Sequence, residues 1–253
     1  MVLSRLAKKF SEAGRVNPSA PPGLRIYAIG DVHGRLDLLD RLSATIFADM
    51  AQAKVERTLA IFLGDLIDRG PESAGVIERL ASADFPTPIV ALRGNHEELL
   101  LTFLNDPSVL DSWRKYGALE TLHSYGVDIS AASRGARFEE ARRALASKLP
   151  PAHLRFLEQM PLTEERGGYF FVHAGVRPLV PLDAQRRDDL LWIREEFLRF
   201  EGEFGKFIVH GHTPTPEPEV RRNRINIDTG AFATSVLTAL VLEGEDQRFL
   251  DTR

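Results

Sequence analysis

The sequence predicts a mixed α/β fold: a central β-sandwich of two mixed sheets, flanked by helices and carrying a helical insertion. Three observations lead there. Strand–loop–helix patterns repeat three times from residue 24 onward, residues 98–160 read as helix alone, and short apolar runs return after residue 168. Successive β–α units build a parallel sheet, and the later strands, set apart by the insertion, form a second sheet facing the first. The chain has 253 residues, 43% hydrophobic and 27% charged, which suits a globular protein with a full core. A net charge of −4 gives no basic stripe for nucleic acid. No apolar run is long enough to span a bilayer. With no cysteine, disulfides and thiolate ligands are excluded, and a cytoplasmic address is the simplest expectation.

Taken in order, residues 1–23 read as a loosely ordered basic tail ending in a Pro-rich linker, and residues 24–253 as one domain. A membrane-surface or partner-docking helix over the tail is the other reading of Leu3, Leu6 and Phe10 among their basic neighbours. Residues 24–29 form the first β-like run. Leu39, Leu42, Ile46 and Met50 then recur at helical spacing, predicting a helix over 35–53. The apolar run 59–63 is short enough to be a strand buried on both faces. A helix over 72–83 follows, and Pro86 and Pro88 frame a third strand at 89–92. Within the insertion, helices are expected over 99–104, 113–125, 138–149 and 152–160, with breaks at Pro107, Gly126 and Pro150-Pro151. His123 and His153 fall inside these helices and read as surface or packing residues. Strands return at 169–172, 207–209, 225–227 and 235–242, with a helix over 188–200 between them.

Chemistry-bearing residues gather where strands end. Asp31 and His33, then Asp65, Asn95 and His96, His173, and finally His210 and His212 each follow a short apolar run. In open α/β sheets such loops form the ligand crevice. Five of the seven histidines sit there. The loop after 59–63 also carries Asp68 and Arg69, which alone could be a salt-bridged turn. Together these residues supply carboxylate, amide and imidazole donors, enough for a centre of two divalent ions.

The stretches Gly30–Gly34 (GDVHG), Gly64–Gly70 (GDLIDRG), Arg93–Glu97 (RGNHE), His173–Gly175 (HAG) and Gly211–Thr213 (GHT) resemble, in order, the signature of calcineurin-like metallophosphoesterases. The GDxxDRG and RGNHE forms are similar to those of the PPP-type bacterial and bacteriophage Ser/Thr protein phosphatases. The resemblance implies a four-layer metallophosphatase architecture and a phosphomonoesterase that hydrolyses phosphoserine or phosphothreonine through a hydroxide held between two ions. Manganese is the first expectation, with iron, zinc, nickel or magnesium as alternatives. By the same resemblance Asp31 and His33 bind the first metal, Asp65 bridges, and Asn95, His173 and His212 bind the second. His96 is then the general acid, oriented by Asp68, and Arg69, Arg93 and Arg194 bind the phosphoryl group, with Arg177 as the fallback for the third. Asp228 reads as a partner of a ligating histidine. A phosphoprotein is the expected substrate, and a symmetrical dinucleoside tetraphosphate is the in-family alternative; an inactive binding protein on the same fold is the remote one. Selectivity is expected from residues 98–160 and the loops after His173 and His212, including the Pro- and Arg-rich stretch 214–224.

Overall fold

A computed structural model of the chain describes residues 18–52, 55–128, 130 and 137–253. Most of the expected N-terminal tail therefore lies outside the described residues. The end of the expected linker is tied down. The Ala20 N–H donates to the Gly244 carbonyl, the Gly168 N–H donates to the Ser19 carbonyl, and the Tyr169 hydroxyl donates to the Pro18 carbonyl.

Two five-stranded mixed sheets stack face to face. In the first, β1 (Leu24–Ile29) lies parallel to β2 (Arg57–Phe62), and β2 lies parallel to β3 (Ile89–Ala91). The antiparallel β9 (Thr238–Glu243) and β10 (Asp246–Asp251) complete it. In the second, β5 (Tyr169–Val172), β6 (Phe207–His210) and β8 (Arg224–Asn226) run parallel. Short antiparallel strands β4 (Thr163–Arg166) and β7 (Glu219–Val220) edge that sheet.

Because side chains alternate across a strand, each central strand supplies two packing layers. Ile26, Ala28 and Ile61 meet Tyr169, Phe171, Val209 and Ile225 between the sheets. Tyr27, Ile29, Ala60 and Phe62 face outward onto α1 (Leu36–Met50), α2 (Ser73–Ala81) and α3 (Asn95–Phe103). On the far side Phe170, Val172 and Ile208 pack against Leu190, Ile193 and Phe197. The four expected layers are present.

The described residues of 98–160 are mainly helical, as expected: α4 (Leu110–Trp113), α5 (Ala118–Ser124), α6 (Phe138–Lys148) and α7 (Pro151–Gln159) follow α3, but the helix expected over 113–125 is broken by the tighter turn Arg114–Tyr116 and a left-handed Gly117. Its core is not separate. Trp113, Leu122, Leu145 and Leu157 join the cluster that covers the first sheet. The helix expected over 188–200 is broken into α8 (Arg187–Trp192) and α9 (Glu195–Leu198). Strands β4, β7 and β10 went unread in the sequence, and β9 begins at Thr238 because α10 (Ala231–Thr234) ends in a left-handed Ser235. Among the described residues no helix is long and apolar enough to cross a membrane.

Candidate metal centre

The C-terminal ends of β1, β2, β3, β5 and β6 converge, and their loops bring Asp31, His33, Asp65, Asn95, His96, His173 and His212 together. All seven are buried. Ligand atoms of His33, Asp65 and His96 lie within 4.8 Å of one another, and so do those of Asp65, His173 and His212. Asp65 is common to both groups. Tight turns place these residues: His33, Asp65, Asp68, Arg69 and His212 all have positive φ, between 47° and 71°. Non-glycine residues held there cost of order 1–3 kcal/mol each, and such strain concentrates at functional sites. Gly94 and Gly211 allow backbone to reach the cluster, since a Cβ at either would strike the carboxylate of Asp65 or Asp31.

The imidazoles are oriented from behind. His33 Nδ1 lies 2.8 Å from the Ile67 carbonyl and His173 Nδ1 lies 2.9 Å from that of Leu63. A carbonyl only accepts, so each Nδ1 carries the proton and each Nε2 presents a lone pair. Those Nε2 atoms lie 3.7 and 3.4 Å from the Asp65 carboxylate. The Asn95 Oδ1 lies 2.9 Å from His173 Nε2, and His212 Nδ1 lies 3.1 Å from the same atom.

Burial, then the charges of Asp228 and Asp65, push the Asp31 carboxyl well above its ordinary range. Burial likewise raises Asp228 to about 6. Burial also holds His33, His173 and His212 below the usual imidazole value. Carboxylates that repel one another in a dry site beside neutral imidazoles suit divalent cations, which would reverse the repulsion. The donor set therefore fits metal.

His96 differs from its neighbours. Burial lowers its pKa, but the charge of Asp65 and the hydrogen bond to Asp68 outweigh burial and raise it overall. Its Nδ1 lies 2.6 Å from Asp68 Oδ2, and Arg69 Nη2 is 3.4 Å from its Nε2. The guanidinium opposes positive charge at that nitrogen, but the carboxylates of Asp65 and Asp68 outweigh it and favour the protonated ring that a proton donor needs.

Trp113, Thr121, Ser73 and Glu97 had no role assigned from the sequence. Asp68 is fixed by the helical region: the Trp113 indole donates to its Oδ2 at 2.6 Å, the Thr121 hydroxyl donates to Oδ1, and Thr121 and Ser73 accept its N–H. Glu97, the last residue of the RGNHE stretch, is wholly buried and accepts the N–H groups of Asp65, Leu66, Ile67 and Gly94. Only the RGNHE motif itself hinted at it. Asp228 lies beside Asp31 rather than behind an imidazole, and its carboxylate accepts the Gly230 N–H.

The arginines divide. Arg69 reaches His96 and lies over the Phe232 ring at 4.5 Å, and Arg194 Nε donates to His212 Nε2 at 3.2 Å. Arg177 is engaged by Asp189 and Glu196, away from the cluster. Arg93 donates to Glu98 and to the carbonyls of Leu157 and Glu158, so the structure does not bring its guanidinium to the metal ligands. His210 is buried against Phe197 and contributes no cluster atom. In the 214–224 stretch, Arg221 pairs with Glu219, and Arg224 is buried, donating to the Leu198 and Phe200 carbonyls.

The sequence model of the family described as calcineurin-like phosphoesterase matches residues 24–233. The asymmetrical bis(5'-nucleosyl)-tetraphosphatase PrpE of Bacillus subtilis is 28% identical, over 83% of this chain and 87% of its own length. The enzyme of the same name from Anoxybacillus flavithermus is 25% identical, over 84% and 88%. Among solved structures, a candidate diadenosine tetraphosphatase superposes with a TM-score of 0.63 at 19% identity, covering 90% of this chain and 93% of its own. A cold-active protein-tyrosine phosphatase from a Shewanella species gives 0.57 at 14% identity, covering 93% and 83%.

Proposed function

This chain belongs to the calcineurin-like phosphoesterase family, and from that premise we propose that it hydrolyses dinucleoside polyphosphates asymmetrically, releasing a mononucleotide and a nucleoside triphosphate from a tetraphosphate. The observation that carries the reading is the similarity to relatives named for that activity, which extends through the helical region as well as the motifs. It reverses the order expected from the motif forms alone, which put phosphoproteins first and considered only symmetrical cleavage of the tetraphosphate. The GDxxDRG and RGNHE forms keep phosphoserine and phosphothreonine as the second reading.

By the family motifs Asp31, His33 and Asp65 would hold one divalent ion, and Asp65, Asn95, His173 and His212 the other; of these, His33 and Asp65, and Asp65, His173 and His212, already have ligand atoms within 4.8 Å of one another, and manganese is the first choice for this oxygen and nitrogen set. Bound ions supply Lewis acidity and an acidified water. The side chains do the rest. Arg69 and Arg194 neutralise the phosphoryl oxygens. Asp68, immobilised by Trp113 and Thr121, holds the His96 ring by Nδ1 and favours its protonated form. As the oxygen of a water that has given up a proton to solvent joins phosphorus and the P–O bond to the leaving group breaks, His96 Nε2 gives its proton to the leaving oxygen and is reprotonated from solvent. Arg93, turned to Glu98 and α7, would act by tying the RGNHE loop to the helical region. A cytoplasmic address suits both a cysteine-free chain and a nucleotide substrate.

The test is kcat/KM for diadenosine tetraphosphate, a phosphoserine peptide and p-nitrophenyl phosphate with added manganese. The reading expects the tetraphosphate to lead the peptide by at least tenfold, about 1.4 kcal/mol of transition-state binding. A lead of that size for the peptide would restore the protein-phosphatase reading.

A further inference from the structure

Two aromatic side chains at the mouth of the centre are left partly in water. Tyr116, in the turn Arg114–Tyr116, is 41% exposed, and Trp192, at the end of α8, is 37% exposed. Single exposed apolar residues are ordinary. These two are not single: their rings touch edge to face at 6.1 Å. Each also borders an imidazole of the centre, Tyr116 on His96 at 6.1 Å and Trp192 on His212 at 6.2 Å. Tyr116 comes from the helical stretch expected to set selectivity, and Trp192 from α8, beyond the loop after His173.

The pair is anchored to the chemistry. The Gly117 carbonyl, next to Tyr116, accepts the Arg69 N–H at 3.3 Å, and Gly117 has φ +102° with no room for a Cβ against Arg69. Trp192 is two residues from Arg194, which donates to His212. Phe232 makes a third ring at the rim, but the Arg69 guanidinium already covers one of its faces, so it positions Arg69.

We infer that Tyr116 and Trp192 form a stacking platform for the nucleobase lying one phosphate from the reacting phosphorus, and so determine preference for nucleotide substrates. This rests on the function proposed above. Asymmetrical cleavage leaves a nucleoside monophosphate on one side of the bond that breaks, so only one phosphate separates its nucleoside from that bond and its base falls at the rim of the centre rather than further out. Stacking accepts any base through its π-face, so the platform selects nucleotides without selecting among them. Guanidinium groups at Arg69 and Arg194 beside the rings match the phosphate that joins base to scissile bond.

The test compares Trp192→Ala, Tyr116→Ala and Trp192→Phe with the native chain on diadenosine tetraphosphate and on inorganic tripolyphosphate, an anhydride without a base. The ratio of the two kcat/KM values should fall roughly tenfold or more in each alanine variant and be largely restored in Trp192→Phe. A ratio unchanged in either alanine variant overturns the inference. AMP titrated into the metal-stripped chain supplies a second readout. Tryptophan fluorescence should be quenched, and the quenching lost in Trp192→Ala, where only the buried Trp113 remains. If the native chain cleaves no dinucleoside polyphosphate, the proposed function fails and AMP quenching alone judges the platform. No quenching overturns it too.

Discussion

Replacing Glu97 by glutamine changes one atom and should cost more than most core truncations. Its Oε2 accepts the N–H groups of Asp65 and Gly94 at 3.0 and 2.8 Å, and Oε1 accepts those of Leu66 and Ile67 at 2.7 and 3.3 Å. Glutamine keeps one oxygen, so two of the four buried N–H groups would face an amide NH₂ that can only donate. Each orphaned donor costs about 1–3 kcal/mol, giving a loss of about 2–6 kcal/mol. With an m-value of about 2–3 kcal/mol/M, the urea midpoint should fall by about 0.7–3 M. Burial and then the Asp65 charge push the Glu97 carboxyl up to about 7, so the comparison belongs at pH 8, where it is ionised. The same four bonds shape the loop that presents Asp65 and Asp68, and kcat/KM should fall with stability even well below the unfolding range. A midpoint within a few tenths of a molar of the native value, with full activity, would refute this account of Glu97.

Three further outcomes follow from the site. Asp65→Asn should lose both metal ions and all turnover, because Asp65 is the carboxylate common to both donor groups; metal analysis finding one ion in an active variant would contradict this. His96→Asn should keep its metal but lose roughly 10²–10⁴ in turnover of substrates with poor leaving groups, and far less with p-nitrophenyl phosphate; equal losses would remove the acid role. His210 is buried, and burial holds its imidazole down to about 3. Its unfolded form binds a proton below about 6.5, so native stability should be lost as pH falls through that value, by about 2 kcal/mol at pH 5. His210→Gln should flatten this acid limb in urea titrations; an unchanged slope would show that His210 does not cause it.

The parts of the molecule readable from sequence are those whose signal is local. A strand buried on both faces is a short apolar run, so residues 59–63 announced β2, and glycine-bounded polar residues at such ends announced the centre. Edge strands lack that signal. β4 is Thr-Glu-Glu-Arg and β10 carries Asp, Gln and Arg, so their strand character comes from the ladder with β5 and β9 rather than from composition. The bonds that hold the centre in shape were equally hidden. Trp113 and Thr121 reach Asp68 from 45 and 53 residues away, and no spacing rule connects them. Arg93 shows the opposite hazard. Its motif position suggests phosphate binding, whereas Glu98 and the end of α7 claim its guanidinium.

The most direct test of the central claim is product identity. Diadenosine tetraphosphate incubated with the manganese-loaded protein should yield AMP and ATP in equal amounts at early times, resolved by ion-exchange chromatography. Formation of ADP alone would mean symmetrical cleavage. An intact tetraphosphate beside rapid phosphopeptide hydrolysis would contradict the nucleotide assignment altogether.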